Sequence, residues 1–151
     1  MEGRDQKLSP GAAQVAVPDA GHARRLSVRL RPTRTAAEQA RRMLRWLSLP
    51  HPLADEAQLL VSELVTNSVR HAGLGPDDPI HLTADWSGTR LRVHVRDRPG
   101  RTAGVSGTVR PPAGAESGWG LYLVERLASR WGTSVDGYWF ELHPSPRRPA
   151  T

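Results

Sequence analysis

The stretch LLVSELVTNSVRHA, residues 59–72, carries an apolar stripe and a polar stripe side by side. Leu60, Val61, Leu64, Val65, Ser68 and Ala72 recur at three and four residues, the spacing that places side chains on one face of a 3.6-residue helical period. Burying four such branched side chains contributes on the order of 6 to 12 kcal/mol in transfer free energy before entropy is subtracted. The spacing therefore predicts a core helix. Beside the apolar stripe stand Glu63, Asn67 and His71, one turn apart, with Arg70 next to His71. A carboxylate and a carboxamide oxygen four residues apart reach one small volume, and such oxygens suit a hard divalent cation whose other positions are filled by phosphate and water. An isolated Glu-x-x-x-Asn is equally what an ordinary solvated polar face looks like. Asn is a weak helix former, however, and its mid-helix position asks for a reason.

Working outward, 151 residues with 38% hydrophobic content suit one soluble globular domain with loose ends. Cysteine is absent, which excludes disulfide frameworks and Cys-based zinc sites. No apolar run matches a signal peptide or a transmembrane span, so a cytoplasmic location and no membrane partner are expected. The +6 net charge belongs to one end of the chain. Residues 1–46 hold ten basic and four acidic side chains, and the remainder holds eleven of each sign.

Residues 1–22 mix Gly, Pro, Ala and charge without periodicity and read as a flexible tail, followed by a domain over 23–143 and a second flexible tail over 144–151. Within the domain, the pattern predicts a strand at 27–30, then a helix over 36–47 capped by Thr33 or Thr35 and facing Arg41, Arg42 and Arg45 outward. The central helix follows over 53–72, with Gly73 as its stop. Residues 80–86 and 90–97 alternate as adjacent antiparallel strands with one wet face, joined by a turn at 87–89. Residues 98–117 are rich in Gly, Pro, Arg and Thr, have no period, and read as a lid or binding loop. A helix over 118–131 and two short strands at 133–135 and 138–142, turning at Asp136 and Gly137, complete the domain.

Two further segments carry chemistry. Asp97 ends a strand, where a carboxylate is commonly a turn former; beside a pocket it could accept a hydrogen bond from an adenine amino group. Gly118 and Gly120 open a helix, where glycines let backbone amides approach a ligand and the helix N-terminus favours phosphate; a plain loop-to-helix junction looks the same.

The succession of these three segments resembles the GHKL ATPases, the Bergerat-fold superfamily of gyrase, histidine kinase and heat-shock chaperone ATP domains. Within it the sequence looks like the branch of anti-sigma factor serine/threonine kinases. The likeness covers residues 27–142. ELVTNSVRHA (63–72) is similar to the N-box, VRDRPG (95–100) to the G1 region, ESGWGLYLVERLASRWG (116–132) to the G2 region, and WFEL (139–142) to the closing strand of that branch. The resemblance implies a two-layer α+β sandwich, a mixed but mostly antiparallel sheet with three helices on one face. It implies ATP and Mg2+ as cofactors, Glu63 as general base and Asn67 as metal ligand. The nucleotide would be held by Asn67, Arg70, His71, Asp97, Gly100, Gly118, Trp119, Gly120 and Leu121. Two departures stand out: Pro99 where many relatives carry Gly, with Gly100 one place later, and Asp136, Gly137 and Tyr138 where relatives often carry Thr or Lys.

The resemblance also implies a sigma factor and an anti-sigma factor antagonist as protein partners, serine phosphorylation of the antagonist, and a possible homodimer. Two other readings compete with the kinase. One is a binding module whose conformation is set by nucleotide without phosphoryl transfer. The other is a nucleic-acid binder using the Arg-rich first helix and strand, against which stands the lack of any helix-turn-helix, zinc knuckle or RNA-stacking motif. For the basic end itself, Arg41, Arg42 and Arg45 with the 29–34 segment are expected to form an edge for an acidic protein partner.

Overall fold

Leu26, Val28 and Leu30 alternate with exposed Arg25, Ser27 and Arg29, and that period of two makes Arg24–Leu30 a strand with one buried face. The structure is a computed structural model and describes residues 14–16, 23–97, 112–115 and 119–145. The elements run β1 (Gln14–Ala16), β2 (Arg24–Leu30), α1 (Ala36–Leu44) with a 3-10 turn at Arg45–Leu47, α2 (Leu53–His71), β3 (Ile80–Trp86), β4 (Leu91–Arg96), α3 (Trp119–Leu127), β5 (Arg130–Ser134) and β6 (Gly137–Leu142).

The strands form one sheet in the order β1-β2-β3-β4-β6-β5, and every pairing in it is antiparallel. The three helices cover one face, α1 and α3 both packing on α2. This is the expected two-layer α+β sandwich, with no parallel pairing among the described residues. The core lies between the layers: Leu26, Leu82, Val93 and Phe140 from the sheet meet Leu60, Leu64 and Val124 from the helices, all 1% exposed or less. The predicted stripe of α2 is the buried one, from Leu60 through Ser68 to Ala72. Gly73 adopts φ 64° beyond its C-terminus, the left-handed conformation glycine reaches without a Cβ penalty.

Several boundaries differ from expectation. Gln14–Ala16 lies within the stretch read as a tail, yet pairs with residues 25–27; the rest of 1–22, and 146–151, lie outside the described residues. Thr35 makes no side-chain cap: its backbone is already helical, and the two threonine hydroxyls bond each other at 3.1 Å. The last helix stops at Leu127 instead of continuing to Trp131. The Ser129 amide bonds the Glu141 carbonyl at 2.8 Å, so the chain leaves the helix to begin pairing with β6. Trp131 fits either pattern by spacing, and strand pairing decides it. Gly137 belongs to β6, because a Cβ there would overlap the Val95 carbonyl of β4; close approach, not a turn, requires glycine at that position.

The basic end is divided between two faces. Arg41 donates to Ser62 Oγ at 2.9 Å and Arg42 pairs with Glu38, both in the helical layer. Alternation in β2 sends Arg29 to the opposite face of the sheet. Within the edge expected from Arg41, Arg42, Arg45 and the 29–34 segment, Arg29 therefore faces away from Arg41 and Arg42.

Candidate functional site

The polar stripe of α2 is the centre of the site. Glu63 and Asn67 are half-buried, Arg70 and His71 are exposed, and Ser68, one residue past Asn67, is 1% exposed. Because successive helical residues turn by about 100°, Asn67 and Ser68 look toward adjacent sectors, one at the edge of the core and one inside it.

Ser68 makes the first link between segments. Its hydroxyl donates to Asp97 Oδ2 at 2.7 Å, tying the central helix to the end of β4 across 29 residues of sequence. A charged acceptor makes such a bond stronger than a neutral one, and it fixes the carboxylate's orientation. Asp97 is held from its backbone as well: its amide donates to the Asp136 carbonyl at 2.8 Å, in the turn between β5 and β6. That turn is itself braced. Ser134 Oγ donates to Asp136 Oδ1 at 3.0 Å, and with that proton committed the Ser134 oxygen accepts from His94 Nε2 at 2.7 Å. The His94 imidazole is held below its usual pKa of 6.5, first by burial and then by Arg96 and Arg92, with Asp136 opposing.

Glu63 makes the second link. A Cβ built on Gly120 would lie 3.4 Å from both Cβ and Oε2 of Glu63, so the first turn of α3 runs directly against this carboxylate. Trp119 anchors that start: its indole Nε1 donates to the Ala115 carbonyl at 2.8 Å, and its ring meets Tyr122 edge-on at 5.8 Å. Leu121 is partly buried against the core.

One helix thus touches both other segments. Asp97 meets α2 at Ser68 and Gly120 meets it at Glu63, with Asn67 on the turn between these contacts. Gly100 and Gly118 lie outside the described residues, as does most of the 98–117 loop. Among the described residues no three His, Asp or Glu side chains cluster to cage a metal. The donor set is one carboxamide and one carboxylate on a single helical stripe beside the start of another helix. It fits an ion held mainly by phosphate oxygens and water, and it fits a nucleotide with its base end at Asp97.

Ser68 and the His94, Ser134, Asp136 chain escaped the sequence reading. Ser68 carried a legible signal: a hydroxyl on a stripe otherwise made of Leu, Val and Ala is buried, and a buried hydroxyl needs a partner. The chain through His94 carried none, since its members come from different strands and only the register brings them together. A separate concavity of about 320 Å³ lies between the end of α1 and the first turns of α2, lined by Leu44, Leu49, Ala54 and Gln58 among others, away from Asp97 and Gly120. Arg45, Ser48 and His51 also line it, and none of the predicted site residues does.

A family described as the histidine kinase-like ATPase domain matches residues 26–137, which spans the site from β2 to the first residue of β6. No curated protein matches the sequence.

Proposed function

The chain belongs to the histidine kinase-like ATPase domain family, and from that premise we propose that it is an ATP-dependent regulator of the anti-sigma factor serine kinase type. Its substrate would be a serine hydroxyl of a protein antagonist, and a sigma factor its sequestered partner. The observation that supports this most directly is the pair of contacts on α2, Ser68 with Asp97 and Glu63 with Gly120. They bring Asp97, Glu63 and the start of α3 onto one element, which supports reading them as base-recognising carboxylate, acid/base carboxylate and phosphate-binding helix start.

Each residue has a role in the proposed reaction. Asp97, oriented by Ser68, accepts the adenine amino group. The Asn67 carboxamide oxygen would hold Mg2+, which when bound would neutralise charge on the phosphates. The start of α3 at Trp119 and Gly120 offers backbone amides to the phosphate oxygens. Glu63 takes the proton of the attacking serine hydroxyl as its oxygen bonds to the terminal phosphorus and ADP departs with the bridging oxygen. Glu63 is half-buried, and the residue against its Oε2 is Gly120, which carries no side chain.

Glu63→Gln tests the chemistry. General-base removal lowers transfer about 10²- to 10⁴-fold, while ATP binding measured by calorimetry stays. Unchanged phosphorylation of an antagonist would sink the kinase reading. Lost ATP binding would show that Glu63 serves the pocket and not the transfer. Retained antagonist binding with no phosphorylation by the native chain would instead favour a nucleotide-gated binding module.

A further inference from the structure

The face of the sheet opposite the helices carries two rows of charge that differ in kind. One row runs Arg25, Asp85, Arg92, Glu141, Arg130 across five strands in register, alternating in sign. It is self-compensated: Arg25 meets Asp85 at 3.2 Å, and Arg92 meets Glu141 at 2.8 Å while its guanidinium lies 4.2 Å over the Trp139 ring. Four residues along β3 and β4, toward the Asp97 end, the row is Arg29, His81, Arg96.

Directly opposed residues on neighbouring strands stand about 5 Å apart at Cβ, and like charges there are destabilising. Among the described residues neither Arg29 nor Arg96 has an ion-pair partner, and the Arg96 Nε is buried without a hydrogen-bond acceptor. The crowding is felt by the imidazole between them: His81 is held below 6.5 first by burial, then by Arg29 and Arg96, with Asp136 opposing. Arg29 is exposed and Arg96 partly so, and an anion docking over the face would meet their uncompensated charge. Arg29 and Arg96 are two strand spacings apart, roughly 10 Å. That span, on a flat ladder of strands, suits several carboxylates on one chain better than a single small anion in a cleft.

We propose that the Arg29–His81–Arg96 row is a docking site for an acidic segment of a partner protein, whose carboxylates supply the counter-charge that this end of the face lacks. A polyphosphate backbone fits less well, because its charges recur every few ångströms and two guanidinium groups would leave most of them unmatched, whereas a peptide can place its carboxylates at the pair alone and keep clear of the Asp85 and Glu141 row. The site is separate from the nucleotide pocket, since alternation in β4 turns Arg96 away from the side that Asp97 presents to Ser68.

The test uses the full chain and a short fluorescein-labelled peptide alternating Glu with Ser, followed by anisotropy at about 20 mM salt, where surface charge is least screened. Arg29→Gln, the double variant Arg29→Gln with Arg96→Gln, and Arg25→Gln are compared. Arg25→Gln removes the same unit of charge from the compensated row. The expected result is binding by the native chain, a loss of about threefold for Arg29→Gln, and of about tenfold or more for the double variant. Arg25→Gln should bind as the native chain does. Because Arg29 is exposed, the single variant reports even if the second substitution unfolds the protein. The proposal is overturned by no binding to the native chain, or by equal losses at Arg25 and Arg29, which would mean diffuse attraction. It is overturned equally by displacement with millimolar inorganic phosphate, meaning a small-anion site. Tighter binding of a DNA duplex with the same variant profile would make the row a nucleic-acid contact and end it too.

Discussion

Ser68 shows how one buried hydroxyl places a distant carboxylate. The oxygen sits on the core-facing side of α2, where any polar group must find a partner, and the partner it finds is the residue that would select adenine. Ser68→Ala removes a charge-assisted bond, and because Asp97 keeps its backbone tie to the Asp136 carbonyl the expected stability loss is about 1 to 2 kcal/mol. A urea titration measures it. Weaker adenine-nucleotide affinity should accompany it, since the carboxylate loses its fixed orientation. Asn67→Ala acts differently. Its side chain is half-buried and makes no hydrogen bond among the described residues, so the urea midpoint should barely move. Calorimetric ATP affinity in the presence of Mg2+ should fall about tenfold or more, the penalty seen when a metal-site group is removed. An unchanged affinity would remove Asn67 from the site.

Elements, not residues, decide whether these groups meet. β6 runs between β4 and β5 and carries the turn that holds Asp97, so its closeness to β4 matters more than its composition. Gly137→Ala would drive a methyl group into the Val95 carbonyl, backbone against side chain with nothing soft to yield. The expected cost is about 3 kcal/mol or more, a fall in melting temperature on the order of 10 °C for a chain of this length. Gly132→Ala meets the Trp139 ring at 2.9 Å. That ring can tilt, though it is sandwiched under Arg92, and a smaller cost of about 1 to 3 kcal/mol is expected. Equal melting temperatures for the two variants would contradict this ranking. Arg92→Ala acts on the same element: Glu141, 2% exposed, would keep among the described residues the 3.9 Å contact to Arg90, and because Arg92 is itself 42% exposed the cost is about 1 to 3 kcal/mol, below that of a fully buried pair.

At the scale of the whole molecule, stability should depend on pH through its histidines. His94 and His81 both have folded pKa values below 6.5, so the unfolded chain binds more protons wherever pH lies between the two values. Stability is then full above about pH 6.5, falls as pH drops below it, and levels once the folded pKa is passed. Melting temperatures taken between about pH 7.5 and 5.5 should decline for the native chain and decline less for His94→Gln, which keeps a donor near the Nε2 position. Identical slopes would show that His94 does not titrate differently in the two states. The fold's two-sidedness is also a property at this scale. The helical face carries the candidate site, the opposite face carries the charged rows, and β4 serves both through alternate residues.

Periodicity determined the α2 core stripe, the β3–β4 hairpin and the shared stripe of Glu63 and Asn67, because these depend on side-chain spacing along one segment; the mostly antiparallel α+β class and the place of Asp97 in a site followed from the order of motifs and the family they resemble. The ends of α3 and β6, the strand at Gln14–Ala16, and the bond from Ser68 to Asp97 depended on which segments came to lie beside one another. So did the division of the basic end between two faces, and with it the Arg29–His81–Arg96 row. Strand register and helix docking set those distances, and the free energy that selects them comes from contacts between residues far apart in the chain, which no local pattern records.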